Sequence, residues 1–479
     1  MNAIEEKNNS VKVLTGWGCT SPSRSTVVTL NATDDVSGIM KSVPARVARR
    51  GLLARGLGRS YNDAAQNAGG VVAILNRGDG ESDGRIEIDA DRGSAVVGAG
   101  ASLAQLMEAA LPLGWFVPVT PGTRHVTIGG AIAADVHGKN HHGDGSIGNF
   151  VTSLVLDAPI GRLTLSPDAA SPDVVRRFWA TLGGMGLTGI VRSVALKLVR
   201  VETSLMTVDT RRVDSLDAVL RLLGDDESRY SVAWVDALAT GRHLGRGVVT
   251  SGDHATQRDV SDRAAKESSA AGFPRSITVP NIGLNVVRPT LTKAFNELWF
   301  RKAPRQRDAE LQTISTFFHP LDGADRWNRL YGPAGFLQWQ CAVPLHADGV
   351  VRYALERLSR KRLASPVVVL KRFGSANPGP LSFPFPGWTL AVDIPAGADG
   401  ASGVLDELDT AVVEAGGRVY LAKDARLRSE HLAAMYPRLE EWRETRDSLD
   451  PDRLMQSDLA RRLGLITPRT TCTHINTST

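Results

Sequence analysis

Residues 54–63 read ARGLGRSYND, and this glycine- and arginine-rich stretch is the part of the sequence that decides the fold. Two similar segments follow it: PGTR at 121–124, which leads into TIGGA at 127–131, and HGKNHHG at 137–143. Glycines such as Gly56 and Gly58 let backbone N–H groups wrap around an anion, and Arg59 and Ser60 add charged and hydroxyl donors. One such segment is typical of an ordinary turn, but three within about 90 residues predict a binding site for an anionic ligand.

Two further stretches match the pattern G-x-G-x-x-G of dinucleotide-binding Rossmann folds, at Gly143–Gly148 and Gly184–Gly189. An acidic residue, Asp209, follows the second match by about 20 residues, as the ribose-binding acid of that fold does. The mechanism, however, requires such a loop to join a strand to a helix, and the second match runs straight into a predicted strand. Chance matches are expected among 47 glycines, so the sequence does not favour a Rossmann site.

The composition is typical of a globular protein of two or three domains, with 479 residues and a hydrophobic fraction of 42%. The net charge is only +5 and no basic tail is present, so nucleic acid is not an expected partner. The polar start MNAIEEKNNS has no signal-peptide pattern, and no apolar run approaches the roughly 18 residues of a spanning helix. We therefore expect a cytoplasmic protein with at most peripheral contact to the inner-membrane surface, although a periplasmic or cell-envelope location stays open.

Neither zinc nor another metal is predicted. The three cysteines lie far apart and form no CxxC pair. His137 and His141 have the spacing of two ligands on one helix face, and His142 adjoins them. Gly138 and Gly143 argue against a helix at this point, and no carboxylate or cysteine completes a ligand set.

Hydrophobic periodicity predicts an α+β chain. Ser102 and Gln105 form a capping-box pattern at the start of a helix that Gly114 ends. From about residue 201 the pattern changes, and strands are predicted at 231–236, 337–343, 366–373 and 388–394, with helices at 216–223, 351–358 and 405–413. Residues 252–290 are rich in Ser, Ala, Gly, Asp and Pro, which predicts a long loop or a mobile lid. The strands lack the buried Val/Ile runs of a doubly wound sheet, so we expect helices that cover a largely antiparallel sheet.

The order of the motifs closely resembles the vanillyl-alcohol-oxidase-type, or PCMH-type, FAD-binding domain. RGLGRSYND at 55–63 is followed by PGTRHVTIGGAIAADVHGKNHH at 121–142 and by GGMGLTGI at 183–190. Within that superfamily the chain resembles the decaprenylphosphoryl-β-D-ribose 2-oxidase family of actinobacteria. The resemblance extends through FHPLD (318–322), YGPAGFLQ (331–338), PGW (386–388) and AKD (422–424), and it covers roughly residues 14–465.

The resemblance implies a two-domain α+β flavoprotein whose FAD-binding domain is interrupted by a substrate domain. The FAD domain is expected in residues 15–200 and the antiparallel-sheet substrate domain in residues 201–416. Residues 417–465 are expected to return to the FAD domain and to carry the catalytic lysine. Residues 1–14 and 466–479 are expected to be flexible tails.

The same resemblance implies which residues form the site. Lys423 matches the family's active-site lysine, and His137, the second expected catalytic residue, would pack against the flavin. The other residues expected to bind the cofactor are Arg55, Gly56, Leu57, Gly58, Arg59, Ser60, Tyr61, Gly122, Thr123, Thr127, Ile128, Gly129, Gly130, Gly138, Lys139, Asn140, His141, Ile190 and Tyr420. Those expected to bind the substrate are Trp234, Phe318, Arg329, Gln338, Gln340, Lys371, Phe373, Thr389 and Ala391.

The oxidation of a secondary alcohol requires that hydride leaves carbon for the flavin and that the hydroxyl proton leaves for a base. Lys423 serves as that base only if burial or nearby positive charge lowers its pKa. Otherwise it is an electrophilic hydrogen-bond donor to the substrate oxygen. Many relatives link a histidine covalently to the flavin, but Tyr61 stands at the corresponding position, so FAD is expected to be bound noncovalently.

Three positions depart from the family pattern. Ala391 stands where mycobacterial members carry a cysteine, Thr389 replaces an asparagine, and Phe318 replaces a tyrosine. These differences remodel the expected pocket wall and predict a weak response to inhibitors that alkylate that cysteine.

The expected reaction is the oxidation of the 2-hydroxyl of a polyprenyl-phosphoryl-β-D-ribose to the 2-keto sugar. A separate NAD(P)H-dependent short-chain reductase would complete the epimerisation to the arabinose donor for cell-wall arabinan. An oxidase of a soluble alditol, aldonolactone or other sugar is the alternative among enzymes. A flavin-binding sensor or scaffold is the alternative outside them, and the presence of Lys423, Gln338 and His137 argues against it.

Overall fold

Three sheets of four or more strands carry the fold in the part of the chain that the computed structural model describes, residues 10–31, 33–76, 84–261, 276–363 and 365–466. The first sheet has the order β1-β2-β4-β3, in which β2, β4 and β3 are parallel and β1 adds antiparallel at the edge. Its strands are β1 (Ser10–Leu14), β2 (Ser23–Leu30), β3 (Leu52–Ala54) and β4 (Val71–Leu75). Because β3 ends at Ala54, the first glycine-rich segment leaves the carboxyl end of a parallel strand, the edge at which open α/β sheets bind ligands.

The second sheet is antiparallel and has the order β5-β6-β10-β8-β9. Its strands are β5 (Ile86–Asp89), β6 (Ser94–Gly98), β8 (Val151–Ala158), β9 (Gly161–Leu165) and β10 (Ile190–Lys197), and a short ladder joins β7 (Trp115–Phe116) to β11 (Val199–Arg200). Helix α3 (Leu103–Ala110) begins with the predicted capping box of Ser102 and Gln105, which is thereby confirmed. Apolar side chains of α3 and α4 (Ile128–Ala133) share one core with this sheet.

The third sheet is antiparallel and has eight strands in the order β16-β12-β14-β13-β19-β20-β18-β21. They are β12 (Leu205–Val213), β13 (Tyr230–Val235), β14 (Gly247–His254), β16 (Gln306–Thr313), β18 (Phe336–Pro344), β19 (Val368–Phe373), β20 (Gly387–Pro395) and β21 (Arg418–Val419). One face packs on helices α7 (Leu216–Asp225), α11 (Asp348–Arg360) and α12 (Ala401–Glu414). The α+β class and the antiparallel sheet predicted for this half are confirmed.

The other face of the third sheet carries polar side chains at alternate positions. Gln338 lies opposite Asp393, and Gln340 lies opposite Ala391. Lys371 lies opposite Thr389 on the next strand pair. Because opposite residues of antiparallel strands share a face and the side-chain period is two, this register brings all of these side chains to one surface.

After β21 the chain returns to the N-terminal sheets. Leu52 makes two backbone hydrogen bonds with this segment. Its N–H donates to the carbonyl of Leu454 (2.7 Å), and its carbonyl accepts from the N–H of Gln456 (2.9 Å). Arg462 also pairs with Asp63, the last residue of the first glycine-rich segment, at 2.8 Å. The last helices are α13 (Ser429–Met435), α14 (Leu439–Leu449) and α15 (Asp458–Leu463). The domain boundaries at 200 and 416 stay predictions.

The remaining elements lie outside these three sheets. They are helices α1 (Val36–Ser42), α2 (Ala45–Ala48), α5 (His141–Asp144), α6 (Pro172–Thr181), α8 (Gln257–Ser261), α9 (Pro289–Lys302) and α10 (Ile314–Phe318), and strands β15 (Ile277–Thr278) and β17 (Ala324–Asp325). Among the helices that the structure describes, none has the length and apolar character needed to cross a bilayer.

Three local predictions are corrected. Part of the expected N-terminal tail is strand β1, which is held by its hydrogen bonds to β2 although its side chains Val11 and Val13 are exposed. The expected loop at 252–290 includes the end of β14, which is polar in sequence but pairs with a strand on each side. It also includes α8 and β15. Residues 262–275 of this stretch lie outside the described residues. His141–Asp144 form one helical turn despite Gly143, through a hydrogen bond from the N–H of Asp144 to Asn140 (2.8 Å).

Two other expectations concern the glycine pattern and the C-terminus. The first G-x-G-x-x-G match begins inside helix α5 and precedes strand β8, and the second follows α6 and precedes β10. Neither has the strand–loop–helix order of a Rossmann site. This prediction is confirmed. Of the expected tail at 466–479, Ile466 is buried, and residues 467–479 lie outside the described residues.

Candidate active site

A cavity of about 1200 Å³ lies between the glycine-rich loops and the open face of the third sheet. It is larger than the roughly 300–1,000 Å³ of most small-molecule sites, so it has room for a large cofactor together with a substrate. One wall consists of residues 54–61, 120–139 in part and 185–191 in part, and we call it the cofactor wall. The opposite wall comes from β13, β14, β18, β19 and β20, together with Lys423, and we call it the sheet wall.

The cofactor wall presents backbone rather than side-chain donors. The N–H groups of residues 56–60 donate no hydrogen bond to any other residue that the structure describes. A Cβ on Gly56 would lie 2.2 Å from Oγ1 of Thr127, so glycine is required where the first two motifs meet. A Cβ on Gly122 would meet nothing within 4 Å and would point into open space. Unpaired N–H groups beside an open cradle fit the phosphates of a bound dinucleotide.

Two arginines of the first motif have different surroundings. Arg55 donates to the backbone oxygens of Ala65 (2.8 Å) and Thr15 (2.6 Å), so its charge holds the loop in shape. Arg59 lies over the ring of Trp17 at 4.0 Å and donates to the backbone oxygen of His125.

Most of the residues predicted for the site line this cavity. On the cofactor side they are Arg55, Gly56, Leu57, Gly58, Arg59, Ser60, Tyr61, Gly122, Thr123, Thr127, Gly129, Gly130, His137, Gly138, Lys139 and Tyr420. On the substrate side they are Trp234, Phe318, Gln338, Gln340, Lys371, Ala391 and Lys423. Their roles stay predictions, but the structure brings them to one place.

Four predicted cofactor residues lie behind the cavity wall. Ile128 and Ile190 belong to the hydrophobic cores under the second and first sheets. Asn140 donates to the backbone oxygen of Pro118 (2.9 Å), and His141 packs against the ring of Phe373 at 4.5 Å. These four residues support the wall from behind.

Three predicted substrate residues also lie outside the lining. Phe373 is buried between His137 and His141. The hydroxyl of Thr389 accepts a hydrogen bond from Gln340 (2.9 Å). Arg329 points away and donates to the backbone oxygen of Val279 at 2.8 Å. Sequence spacing could not distinguish these residues from true lining residues, because the difference depends on which neighbouring side chains contact them in the folded protein.

His137 is a neutral, tightly packed imidazole. Its Nε2 lies 3.0 Å from the amide nitrogen of Gln340, and because an amide nitrogen only donates, the ring proton is on Nδ1. The rings of Phe373 and Tyr420 lie 4.9 and 5.2 Å away. Burial lowers the pKa of His137 well below its usual value, and the charges of Lys371 and Lys423 lower it further.

Three lysines surround the inner end of the cavity. Burial, together with the charges of Lys423 and Lys139, lowers the pKa of Lys371 to about 7. Burial lowers the pKa of Lys139 to about 7 as well. Burial also lowers the pKa of Lys423, while the nearby carboxylate of Asp393 opposes this shift. Each of these amines can therefore lose its proton near neutral pH, which an exposed lysine does not do.

Lys423 is held in place by a turn that connects both halves of the fold. Its N–H donates to the carbonyl of Tyr420 (2.9 Å), and the N–H of Tyr61 donates to the carbonyl of Ala422 (3.1 Å). The adjacent Asp424 pairs with Arg462 at 2.7 Å and so has a partner other than Lys423. The amine lies 5.5 Å from the centre of the Tyr61 ring, inside the cavity.

Asp393 is a buried acid that the sequence reasoning missed. It accepts a hydrogen bond from the amide nitrogen of Gln338, and burial raises its pKa. The Tyr331 hydroxyl is another neighbour, since the carboxylate of Asp393 raises the pKa of that phenol, after burial itself. The available signal was an acidic residue inside the apolar strand WTLAVDIP, at 388–395. Its position opposite Gln338 depends on strand register and could not be obtained from the sequence.

This arrangement can hold a flat cofactor on one side and an anionic, hydroxyl-bearing substrate on the other. The cofactor wall supplies N–H groups, and the sheet wall supplies amines and amides. An amine with a lowered pKa can accept a proton from an alcohol, which is one half of alcohol oxidation. No group of three or more acidic, histidine or cysteine side chains in the described ranges could hold a metal ion.

Comparisons with known proteins agree with this geometry. The FAD binding domain family matches residues 25–164, and the D-arabinono-1,4-lactone oxidase family matches residues 404–463.

The decaprenylphosphoryl-β-D-ribose oxidase of Mycolicibacterium smegmatis is 42% identical over 467 residues, which cover 95% of this chain and 98% of that protein. An uncharacterized protein of the mprA 5′ region of Streptomyces coelicolor is 40% identical over 375 residues, 76% of this chain and all of that protein. A D-lactate dehydrogenase of Archaeoglobus fulgidus is 38% identical over only 78 residues, 16% of this chain and 18% of its own. The predicted FAD cofactor is thereby confirmed.

Proposed function

Because the chain belongs to the decaprenylphosphoryl-β-D-ribose oxidase family of FAD-dependent oxidoreductases, we propose that it oxidises the 2-hydroxyl of a polyprenyl-phosphoryl-β-D-ribose to a ketone. The observation that carries the proposal is a relative of 42% identity that aligns with 95% of the chain. The cavity supports it, since a buried cluster of lysines beside a cradle for a cofactor suits a phosphorylated sugar.

In this proposal Lys423 accepts the proton of the 2-hydroxyl. Bound FAD would supply the redox chemistry by accepting the hydride from C2 of the sugar. Burial keeps part of the Lys423 population neutral, and Asp393 limits how far its pKa falls. His137 acts as a neutral packing group behind the cofactor, because its ring is enclosed by Phe373 and Tyr420.

Lys371, expected in the substrate site, and Lys139, expected in the cofactor site, are both proposed here as partners of the substrate phosphate. Each has a pKa lowered to about 7, and an arriving phosphate would raise both values by placing a negative charge nearby. Gln338 and Gln340 would bind the sugar hydroxyls from the adjacent strand. Trp234 and Phe318 supply apolar surface in the same cavity.

The finer features of the proposal concern the flavin and the partners. FAD is bound noncovalently, since Tyr61 occupies the position at which many relatives carry the linking histidine. A separate NAD(P)H-dependent reductase then reduces the ketone to the arabinose epimer. The lipid-linked substrate brings the enzyme to a membrane surface.

Anaerobic reduction of the FAD-loaded enzyme tests this function. A short-chain prenyl-phosphoryl ribose should bleach the flavin absorbance, whereas ribose and ribose phosphate should not. Trapping the product with borodeuteride should place deuterium at C2 of both ribose and arabinose. A flavin that stays oxidised with the prenyl-phosphoryl sugar, or deuterium at another carbon, would overturn the proposal.

A soluble aldonolactone is the second candidate substrate, and one observation favours it. The D-arabinono-1,4-lactone oxidase family matches residues 404–463, the segment that includes Lys423. The match covers one segment, whereas the ribose oxidase relative aligns along the chain. Bleaching by arabinono-lactone or an alditol, but not by the prenyl-phosphoryl sugar, would reverse the order of the two candidates.

A further inference from the structure

Helix α9 buries two polar side chains together with Phe300, and it exposes its other large apolar side chains. Thr292 and Asn296 are 4% and 0% exposed, whereas Leu298 is 70% exposed. Phe295 and Trp299 are also exposed, and their rings stack at 6.1 Å. Helix residues three and four positions apart share a face, so these residues form one stripe. A surface helix of a globular protein usually has the opposite polarity.

The inverted orientation of α9 is fixed by its buried polar contacts. The amide of Asn296 donates to the carboxylate of Asp236 at 2.7 Å. Arg246 bonds to the same carboxylate (2.9 Å) and to Glu297 (2.6 Å), and its guanidinium lies 4.5 Å from the centre of the Phe300 ring. Rotating the helix to bury its stripe would break these bonds, so the exposure of the stripe is a property of the fold.

The stripe continues into the mouth of the cavity. Leu291, Phe295 and Trp299 line the cavity with one edge while remaining exposed. The segment before α9 is joined to residues 324–332 by two backbone hydrogen bonds of 2.9 Å. The N–H of Val279 donates to the carbonyl of Asp325, and the N–H of Val286 donates to the carbonyl of Leu330. The exposed apolar side chains of these two segments and of α9 form what we call the apolar rim: Ile277, Ile282, Leu284, Leu291, Phe295, Leu298, Trp299 and Leu330.

Basic side chains accompany the apolar rim. Lys293, Arg301 and Lys302 are exposed on α9, and Arg288 is exposed at its start. The only acidic residue of the helix, Glu297, is paired with Arg246 and Arg301. Exposed apolar residues combined with basic residues fit the surface of a membrane that contains anionic lipids.

We propose that the apolar rim docks on an anionic lipid bilayer, so that the prenyl tail passes from the bilayer into the cavity without entering water. The passage of the tail rests on the function proposed above, whereas the docking itself does not. A bilayer is favoured over a second copy of the chain because four residues of the rim, Leu291, Phe295, Trp299 and Leu330, also line the cavity, and a second copy seated on them would block the way into it.

Flotation of the FAD-loaded full chain with lipid vesicles tests the docking. Wild type should bind vesicles of phosphatidylglycerol and phosphatidylcholine, and should bind pure phosphatidylcholine more weakly. The variant Leu284→Ser/Leu298→Ser removes two side chains of the rim that do not line the cavity, and it should bind at least about tenfold more weakly. The matched control Leu113→Ser/Leu345→Ser changes leucines that are 46% and 47% exposed elsewhere, and should bind as wild type does.

Two activity measurements accompany the flotation. With a water-soluble short-chain substrate the rim variant should reduce its flavin at the wild-type rate. With a long-chain substrate embedded in vesicles it should be several-fold slower. Vesicle binding that is equal in the rim variant and the wild type would overturn the proposal. So would a wild-type dimer that the rim variant dissociates, because a second copy would then cover the rim. If no substrate reduces the flavin but the flotation results hold, the proposed function fails and the docking stands.

Discussion

The two walls of the cavity use different means to bind their ligands. The cofactor wall offers backbone N–H groups of residues 56–60 and glycines such as Gly122 that leave space open. The sheet wall offers side chains, among them Lys371 and Lys423, and the buried acid Asp393 lies close to Lys423. Burial shifts the pKa values of all three groups towards neutral pH. The cofactor wall therefore depends on backbone shape and free volume, whereas the sheet wall depends on charge. Substitutions on the two walls should have separable effects.

The largest expected effect is on the sheet wall, at Lys423. The variant Lys423→Ala should slow flavin reduction by substrate by about 10²- to 10⁴-fold, because the proton acceptor is lost. FAD should stay bound, since the cofactor wall is unchanged. Anaerobic stopped-flow absorbance measures the rate, and the flavin-to-protein ratio measures retention. Lys371→Ala is the control, and it should mainly raise the substrate concentration that gives half of the maximal rate of flavin reduction. Flavin reduction at the wild-type rate in Lys423→Ala would contradict the role assigned to Lys423.

The next effect is on the cofactor wall, at Gly122. The variant Gly122→Ala should retain FAD about tenfold or more weakly, because the new methyl group enters space that the protein leaves open for the cofactor. Gly143→Ala is the matched control: a Cβ there also meets nothing within 4 Å, but Gly143 does not line the cavity. Equilibrium dialysis measures FAD binding, and thermal unfolding of the apoprotein should be the same for both variants. Equal FAD binding by Gly122→Ala and Gly143→Ala would place the cofactor elsewhere.

The difference between the walls also explains what the sequence could predict. The cofactor wall is built from contiguous motifs, so ARGLGRSYND and TIGGA could be recognised in one dimension. The sheet wall is built from residues on several strands, and the alignment of Gln338 with Asp393 exists only in the folded register. The same reason explains why Thr389 and Phe373 were expected in the lining but lie behind it.

Helix α9 shows a further limit of sequence reasoning. Periodicity methods assume that apolar residues point inward, and α9 has the opposite polarity because Asn296 bonds to buried Asp236. Strand β14 was not predicted, for a related reason: its last residues are polar, and its pairing partners rather than its side chains define it. Tertiary context determined the structure in both places.

A smaller effect is expected from Asp393, through its action on Lys423. The carboxylate of Asp393 holds the pKa of Lys423 up against the effect of burial. The variant Asp393→Asn removes that charge, so the pKa of Lys423 should fall. If neutral Lys423 is the base, the rate of flavin reduction rises with pH, and this rise should move to lower pH by about one unit.

The direction of the pH dependence separates the two possible roles of Lys423. A lysine that acts as a hydrogen-bond donor must be protonated, so the rate would instead fall as the pH rises through its pKa. The measurement is the pH profile of the reduction rate at saturating substrate in wild type and in Asp393→Asn. Ala391→Ser, a change on the same face of β20 that alters no charge, is the control and should leave the profile in place.

The smallest effect on turnover is expected from Ala391→Cys, which tests the accessibility of the sheet wall. Ala391 lines the cavity, so a thiol there should be alkylated by iodoacetamide, and bound substrate should protect it. Turnover before alkylation should stay within about twofold of wild type, because the change is small and uncharged. In wild type the buried Cys341 should resist the reagent, and the exposed Cys19 should react regardless of substrate. Peptide mapping by mass spectrometry identifies the alkylated site, and an Ala391→Cys variant whose introduced thiol stays unmodified would mean that Ala391 faces no open space.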